Sequence, residues 1–370
     1  MTRFAAQRRV FFFEEPLFDG DAPELIIRQD RGVYVCVPHL PHGLPRCGIL
    51  AELRRLLREL LSAHNVENPI VWYYTPMALE FTRDVSSAAV VFDCMDELSA
   101  FAGAPPELVA LETELLARAD LVFTGGESLF EAKRNRGRRV HAFPSSVDVA
   151  HFSKARSAQP EPADQGGIAH PRLGFFGVID ERMDTSLLAD VALKRPGWHF
   201  VILGPCVKID PARLPANPNI HYLGMKTYDE LPAYLAGWDV ALLPFARNAS
   251  TQFISPTKTP EYLAAGCPVV STSVRDVVRP YGEQRLVAIA DTADQFVAAI
   301  EAALTALPTD WRNRVDQFLS TKSWDRTWAE MSRMIDDITN EQIERHDAMA
   351  NPPPARPSDT SMLRAPRPSL

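Results

Sequence analysis

The sequence predicts an α/β protein built from two doubly wound, Rossmann-like domains. Short β-branched and aromatic runs alternate with amphipathic helical patterns, which is typical of parallel strands covered by helices. The alternation stops in a segment rich in proline, glycine and acidic residues and then starts again. The 370-residue length also exceeds one typical compact domain. We therefore expect one such sheet in each half of the chain.

Apolar runs and helical periods place the elements of the first domain, residues 1–150. The expected strands are 10–13, 33–37, 70–74, 89–92 and 121–123, and the expected helices are 49–63 and 107–119. Residues 151–170 form the linker, since they contain a polar stretch without apolar period.

The second domain, residues 171–345, repeats the alternation. Its expected strands are 173–176, 199–203, 220–223, 240–243 and 268–271, and helical patterns follow at 294–304 and 324–338. Residues 346–370 are expected to form a disordered tail, because their composition shifts to proline, arginine and serine.

Composition limits the function classes. The net charge of −8 argues against nucleic-acid binding. The N-terminus lacks a signal-peptide pattern, and the sequence contains no apolar run of transmembrane length. The five cysteines are scattered without a CxxC motif, which favours core thiols in a reducing cytoplasm over disulfides or a zinc site. We expect a cytoplasmic protein without a metal site.

Residues 253–270 are the most informative stretch and predict a loop, a short helix and a buried strand. Ser255 is expected as the N-cap and Pro256 as the first helical residue, with Gly266 just past the end. Lys258 and Glu261 are three residues apart and share one face near the positive helix end. Backbone amides and an ammonium group can hold a diphosphate, while a carboxylate can accept from ribose hydroxyls. An ordinary surface helix with an ion pair fits the segment equally well.

This segment resembles the donor-binding motif of retaining GT-B glycosyltransferases, family-4-like (glycosyl transferases group 1). In that family a carboxylate in a Glu-Tyr-Leu-Ala-Ala-Gly-x-Pro-Val-Val setting binds the ribose, and Glu261 matches it. The family usually has a second glutamate eight residues upstream, where this chain has Phe253. The resemblance implies the GT-B fold, in which two Rossmann-like domains face each other across a cleft.

The resemblance also implies further donor contacts in the second domain. Arg182 stands where the family has a lysine that clamps the donor phosphates, although an arginine paired with Asp180 or Asp184 is the alternative. The loop after strand 220–223 is expected beside the nucleobase, and residues 248–254 beside the sugar. The expected donor-binding residues are Gly177, Arg182, Gly224, Met225, Asn248, Ser255, Thr257, Lys258 and Glu261.

In the first domain, Asp93 and Asp96 follow the strand 89–92 at the end that faces the expected cleft. They are candidates for binding hydroxyls of the acceptor or of the donor sugar, although Asp96 could instead cap the next helix. With Lys258 and Arg182 they complete the expected catalytic set.

The resemblance implies transfer of a sugar from a nucleoside diphosphate donor to a glycan or lipid-linked acceptor, as in the synthesis of cell-envelope polysaccharides. Retention of the anomeric configuration is expected. Neither a metal nor a cofactor is expected, because Arg182, Lys258 and a helix N-terminus can neutralise the leaving diphosphate. Two alternatives stay open: a nucleotide-sugar epimerase on the same fold, and a protein that binds nucleotide sugars without turnover.

Two basic segments could bring the protein to the inner face of a membrane, where a lipid-linked acceptor would lie. A leucine stripe accompanies arginines within residues 53–61, and residues 133–139 form a basic cluster. A core-facing helix with solvated arginines is the interpretation that we favour for the first of them.

The beginning of the chain raises a separate expectation. GT-B first domains begin with a strand and a helix, whereas residues 1–6 resemble the end of that helix and 10–13 the second strand. We expect the first strand–helix unit to be missing, which would leave an unpaired sheet edge or a gap beside residues 10–13. The alternative is a compact variant that starts at its second strand.

Overall fold

The computed structural model describes the backbone of residues 1–350 and the side chains of residues 1–344. The strands of the first half are β1 (Val10–Phe13), β2 (Glu24–Asp30), β3 (Val33–His39), β4 (Ile70–Tyr73), β5 (Ala89–Cys94), β6 (Leu121–Thr124) and β7 (Val140–Ala142). The α-helices of this half are α1 (Thr2–Ala5), α2 (Arg46–Ala63), α3 (Leu79–Thr82), α4 (Leu108–Arg118), α5 (Glu127–Lys133) and α6 (Val149–Phe152).

The second half repeats this alternation, as the sequence predicts. Its strands are β8 (Arg172–Phe176), β9 (His199–Leu203), β10 (Ile220–Gly224), β11 (Val240–Leu243), β12 (Val269–Ser271) and β13 (Ala288–Ile289). Its α-helices are α7 (Thr185–Lys194), α8 (Leu231–Ala236), α9 (Lys258–Ala265), α10 (Arg275–Val277), α11 (Ala293–Thr305), α12 (Trp311–Leu319) and α13 (Trp324–Ala350).

The second domain contains a six-stranded parallel sheet in the order β10-β9-β8-β11-β12-β13. Both faces are covered, by α8, α9 and α12 on one side and by α7 and α11 on the other. The chain reverses its direction of strand addition between β8 and β11. Ligands of open α/β sheets bind outside the carboxyl ends of the strands at such a reversal, so β8 and β11 position the site.

The strands of the first half form two separate sheets. One has the order β1-β3-β2 and contains the antiparallel strand β2, which sequence analysis did not predict because its residues are mostly exposed. The other is the parallel sheet β4-β5-β6-β7. Among the described residues, β1 pairs only with β3 and β4 pairs only with β5. A largely apolar cavity of about 880 Å³ lies between these two unpaired edges. The expectation of a missing strand–helix unit stays a prediction.

The separation of these strands into two sheets predicts that their backbone amides differ in protection from hydrogen exchange. The edges of β1 and β4 that face the cavity have no strand partner, so about half of the amides in each strand lack a ladder hydrogen bond. We expect those amides to exchange with solvent deuterium at least about tenfold faster than the amides of β5, which is paired on both sides. Hydrogen exchange followed by mass spectrometry measures this. Equal protection in β1, β4 and β5 would show that the cavity is closed in solution.

Helix α13 leaves the second domain and packs on the first. Ile335 and Ile338 are buried against Ala89, Val91 and the neighbouring strand β6. Sequence analysis assigns residues up to 345 to the second domain, because a helical period indicates an apolar face but not the sheet that covers it. The helix also continues to Ala350, five residues into the expected tail. The rest of that tail, 351–370, lies outside the described residues.

The two basic segments are largely engaged within the protein. Leu53, Leu56 and Leu60 of α2 are buried, as a core-facing helix requires. In the second segment, the buried Nζ of Lys133 lies 2.6 Å from Glu97 and 2.7 Å from Glu112. None of the helices in the described part of the chain has the length and apolar character needed to cross a bilayer. All five cysteines are free thiols.

Candidate functional site

A cavity of about 140 Å³ lies between the two domains at the carboxyl ends of their strands. The first domain contributes residues that follow β5, β6 and β7, and the second contributes the ends of β8 and β11 and the start of α9. The lining residues are Met95, Asp96, Gly125, Ser145, Phe175, Val178, Arg182, Met183, Pro244, Phe245, Ile254, Ser255, Pro256, Thr257 and Lys258. Of the expected site residues, Asp96, Arg182, Ser255, Thr257 and Lys258 therefore meet in one cavity.

Lys258 occupies its position because residue 177 is a glycine. The φ angle of Gly177 is +143°, a conformation that residues with a side chain rarely adopt. A Cβ atom at this position would lie 2.1 Å from Cε and 2.8 Å from Nζ of Lys258. Gly204 in turn packs against the Gly177 carbonyl and donates its N–H to the carbonyl of Gly224 at 2.8 Å. The strand-end glycines thus provide the space for the lysine.

Helix α9 begins two residues later than predicted. Thr257 is its N-cap, and Ser255 is not, which corrects the expectation. The N–H of Thr259 donates to the carbonyl of Pro256 at 3.1 Å, so this tight turn delays the α-helical hydrogen bonds. No side chain caps the start of the helix. Gly266 ends it with a φ of +83°, as predicted.

The orientation of α9 is fixed by a buried tyrosine. Tyr262 is fully buried, and its hydroxyl accepts the N–H of Phe176 at 3.0 Å. Phe176 is the last residue of β8, so this bond attaches the helix to the strand end that precedes Gly177. The sequence did not reveal this role, because Tyr262 shows only the apolar period of an ordinary core residue.

The cavity contains opposite charges from both domains. Burial raises the pKa of Asp96, and the cations Arg182 and Lys258 oppose this rise. Burial also lowers the pKa of Lys258, while Glu261, Asp180 and Asp96 act in the opposite direction. Among the described residues, no carboxylate lies within 4.0 Å of the lysine Nζ. The ion pair between Lys258 and Glu261 that an ordinary surface helix would have is therefore not formed, and the ammonium group is available to a ligand.

Arg182 satisfies both interpretations of the sequence. Its Nε and Nη2 donate to Asp180 at 3.0 and 2.6 Å, and Asp180 is buried. Its Nη1 donates to none of the described residues, although the side chain lines the cavity. The ring of Phe101, from the first domain, lies 5.5 Å from the guanidinium carbon. The pair with Asp180 therefore fixes the arginine and leaves part of it for a ligand.

Glu261 lies one helical turn from Lys258 and is half-buried. Burial raises the pKa of its carboxyl group to about 7, against the opposing effect of Lys258. Within the described part of the chain it has no hydrogen-bond partner. A carboxylate with this environment can accept hydrogen bonds from a bound hydroxyl group.

The expectation that Asp93 faces the cleft is wrong. Strand β5 extends to Cys94, so Asp93 is a strand residue rather than a loop residue. Its Oδ2 accepts from the Trp72 indole at 3.3 Å, and its buried Oδ1 has no partner in the described structure. Burial raises its pKa to about 7. Asp93 is not among the residues that line the interdomain cavity.

Five of the nine expected donor-binding residues do not line this cavity: Gly177 and Glu261, which lie beside Lys258, and Asn248, Gly224 and Met225. Asn248 caps a short turn, and its side-chain amide donates to the carbonyl of Glu181 at 3.3 Å. Gly224 has a φ of +71° and no neighbour that a Cβ would meet, and Met225 is 75% exposed. Phe253, which replaces the family glutamate, packs against the hydrophobic cluster of the first domain. The roles of Asn248, Gly224 and Met225 stay predictions.

Sequence analysis missed a contact that joins the two domains near the cavity-lining Ser255. Asp276 of the second domain accepts the N–H of Ser128, at the start of α5, at 3.0 Å. A Cβ at Gly126 would lie 2.1 Å from the other Asp276 oxygen and 2.7 Å from the Cβ of Ser255. The pair of glycines after β6 was the available signal, because such residues allow close approach of another chain segment.

Within the described residues, histidine, cysteine and acidic side chains form no group of three or more that could hold a metal ion. Metal independence itself stays a prediction.

This chain is similar in sequence to known glycosyltransferases. Residues 170–306 match the family described as glycosyl transferases group 1. A curated relative from Bacillus subtilis (strain 168), named as the teichuronic acid biosynthesis glycosyltransferase TuaH, is 29% identical over 275 residues, and the alignment covers 68% of each protein.

Solved structures are similar at low sequence identity. Sucrose-phosphate synthase from Thermosynechococcus elongatus has a TM-score of 0.70 at 15% identity, covering 92% of this chain and 91% of that one. The E. coli trehalose-6-phosphate protein bound with UDP-2-fluoro glucose has a TM-score of 0.62 at 15% identity, with 89% and 92% covered. Anabaena HepE in complex with UDP has a TM-score of 0.57 at 15% identity, with 84% and 86% covered. At these identities the likeness establishes the fold.

Proposed function

Because this chain is a glycosyltransferase of the GT-B fold, whose residues 170–306 match the group 1 glycosyl transferases, we propose that it uses a nucleoside diphosphate sugar as donor. The sugar passes to a hydroxyl group of a glycan or lipid-linked acceptor, with retention at the anomeric carbon and without a divalent metal. The observation that supports this proposal most is the position of Lys258. It lies against Gly177 at the start of α9, without an ion-pair partner among the described residues, and in one cavity with Arg182 and Asp96.

The leaving diphosphate develops negative charge as the bond to the sugar breaks. The Lys258 ammonium, the free Nη1 of Arg182 and the N-terminus of α9 all line or adjoin the same cavity. Fixed positive groups in a site that excludes water stabilise such charge strongly. In this proposal they perform the task that a divalent cation performs in metal-dependent enzymes, and Glu261 accepts from the ribose hydroxyls.

The acceptor binds from the side of the first domain. Asp96 is the carboxylate that this domain contributes to the cavity. Burial raises its pKa, and the positive charges of Arg182 and Lys258 oppose that rise. In the proposal it accepts a hydrogen bond from a hydroxyl of the acceptor or of the donor sugar. The name of the teichuronic acid relative supports a cell-envelope polysaccharide as the acceptor class. A lipid-linked acceptor would bring the enzyme from the cytoplasm to the inner face of the membrane.

Release of nucleoside diphosphate from a panel of UDP-, GDP- and dTDP-sugars tests the proposal. We expect release with one donor class, dependent on a glycan or lipid-linked acceptor. Conversion of the donor without acceptor, followed by NMR, would indicate an isomerase instead. Tight binding of a donor without turnover, in the presence of acceptor lipids and glycans, would indicate a binding protein.

The raised pKa of Glu261 predicts a pH dependence of nucleotide binding. The pKa is about 7, so the carboxylate form increases as the pH rises from about 6 to about 8. An ionised carboxylate accepts stronger hydrogen bonds from hydroxyl groups than its protonated form. We expect the Kd for the nucleoside diphosphate to fall over this range, and the Kd of Glu261→Gln to stay high and nearly constant.

Titration calorimetry with pyrophosphate over the same pH range is the control. Pyrophosphate has no ribose, so the pH dependence of its Kd reports the titration of phosphate and lysine alone. If the wild-type Kd for the nucleoside diphosphate changed with pH as the Kd for pyrophosphate does, the result would contradict the ribose role of Glu261.

A further inference from the structure

Strand β2 forms an exposed edge of the three-stranded sheet β1-β3-β2. Six of its seven residues are exposed, and among them Ile26 and Ile27 have exposed fractions of 45% and 41%. Within the described part of the chain, β2 pairs only with β3. It contains neither a proline nor a bulge, two devices that usually block such an edge. The edge is therefore able to pair with a further strand.

The backbone groups of Leu25 and Ile27 point away from β3. Their partners in the register are Pro38 and Cys36, whose carbonyl groups accept from residues on the opposite side of β3, each at 2.9 Å. In an antiparallel pair, two opposite residues either exchange both hydrogen bonds or direct both away from each other. Leu25 and Ile27 therefore offer their N–H and carbonyl groups at the free edge.

The sequence of β2 is complementary to itself in one antiparallel register. A two-fold axis at Ile26 sets Leu25 of each strand opposite Ile27 of the other, so the outward backbone groups meet. The same axis sets Glu24 opposite Arg28 on both sides of the centre. Both of these side chains are exposed, and neither has an ion-pair partner among the described residues. Opposite charges that face each other across two strands stabilise the pairing.

The neighbouring registers are disfavoured by charge or by backbone geometry. An axis at Ile27 would place Glu24 opposite Asp30, and an axis at Arg28 would place this arginine opposite its own copy. An axis between two residues would set outward backbone groups opposite groups that are already bonded to β3. The axis at Ile26 is the one that satisfies both the hydrogen bonds and the charges.

We propose that the free edge of β2 is a dimer interface, on which β2 of a second copy of this chain pairs antiparallel about a two-fold axis at Ile26. The two three-stranded sheets then form one continuous sheet of six strands. Such an interface is isologous, so each ion pair between Glu24 and Arg28 occurs twice. The inference is independent of the proposed function, because no residue of β2 lines the interdomain cavity.

Sedimentation velocity of the full chain over a range of concentrations tests the interface. A single strand pair is a small contact, so we expect a monomer–dimer equilibrium with a Kd of about 1–100 μM. Glu24→Arg alone and Arg28→Glu alone each set like charges opposite each other at both pairs, and each should raise the Kd at least about tenfold. The double variant Glu24→Arg, Arg28→Glu exchanges the charges and should restore the wild-type Kd.

Ile27→Pro tests the backbone pairing separately. It removes an N–H that β3 does not use, so the melting temperature should change little while the dimer is lost. Release of nucleoside diphosphate per chain, measured under conditions where all variants are monomeric, should be the same as in the wild type. This activity measurement keeps a failure of the interface distinct from a failure of the proposed function.

Three results would overturn the inference. A wild type that stays monomeric up to about 300 μM has no such interface, whether the edge is bare or covered by another partner. A dimer that persists in Ile27→Pro uses another surface. A dimer that becomes tighter in Glu24→Arg pairs in the register that sets Glu24 opposite Asp30, which contradicts the axis at Ile26.

Discussion

Lys258→Ala is expected to lower kcat by about 100- to 1,000-fold, while the Kd for the donor changes by less than about tenfold. The physical reason is the position of the ammonium group, which is buried in the cleft and has no ion-pair partner among the described residues. Its charge matters most when the departing diphosphate becomes more negative, so its loss affects the transition state more than the bound substrate. Steady-state kinetics together with calorimetric donor binding measures both quantities.

The matched control is Lys194→Ala. Lys194, the last residue of α7, forms an exposed ion pair of 2.8 Å with Asp294 of α11, and its loss should leave both constants unchanged. The melting temperature of Lys258→Ala should not fall, because burial disfavours the charged lysine in the folded protein. An equal rise in Kd and KM with unchanged kcat would contradict the leaving-group role and mark Lys258 as a uniform binding contact.

Gly177→Ala is expected to lower kcat by about 100-fold or more. The new methyl group would take the space of the lysine Cε, 2.1 Å away, and the backbone φ of +143° would strain the alanine. Because the lysine side chain is flexible at its far end, it should move out of the cleft rather than unfold the domain. A displacement of about 1 Å at a catalytic group is enough for such a loss.

The control variant Gly43→Ala distinguishes the effect of backbone strain from the effect of displacing Lys258. Gly43 also has a positive φ, +79°, but a Cβ there would meet no atom within 4 Å. It should cost stability without affecting kcat. In the double variant Gly177→Ala, Lys258→Ala, the two losses in kcat should not add, because both remove the same ammonium group. Additive losses would show that Gly177 acts through something other than Lys258.

The sequence was sufficient for strands β8 to β12 of the second domain and for most of helix α9, because those features are local. The glycine after β8, the turn at 255–257, the spacing of Lys258 and Glu261 and the stop at Gly266 all lie in short segments. Their periodicity and turn residues could be interpreted without knowing which other segments of the chain they contact. Of the residues that these patterns singled out, Ser255, Thr257 and Lys258 line the cavity, and Gly177 lies against Lys258.

The features that the sequence did not predict depend on contacts between distant segments. The wrong assignment of Asp93 came from a strand end that lies two residues later than predicted. The return of α13 to the first domain and the bond from Ser128 to Asp276 join segments that no periodic pattern relates. The division of the first sheet likewise depends on which strand edges meet, and an apolar run does not specify its neighbour.

Proton NMR of the transfer reaction in excess EDTA tests the central claim most directly. The claim is that protein cations at the start of α9 replace a metal ion and that the anomeric configuration of the donor is retained. We expect the wild-type enzyme to form product at an undiminished rate in EDTA, with the same anomeric configuration as the donor sugar. A product of inverted configuration, or a reaction that stops in EDTA and resumes with added divalent metal, would contradict it.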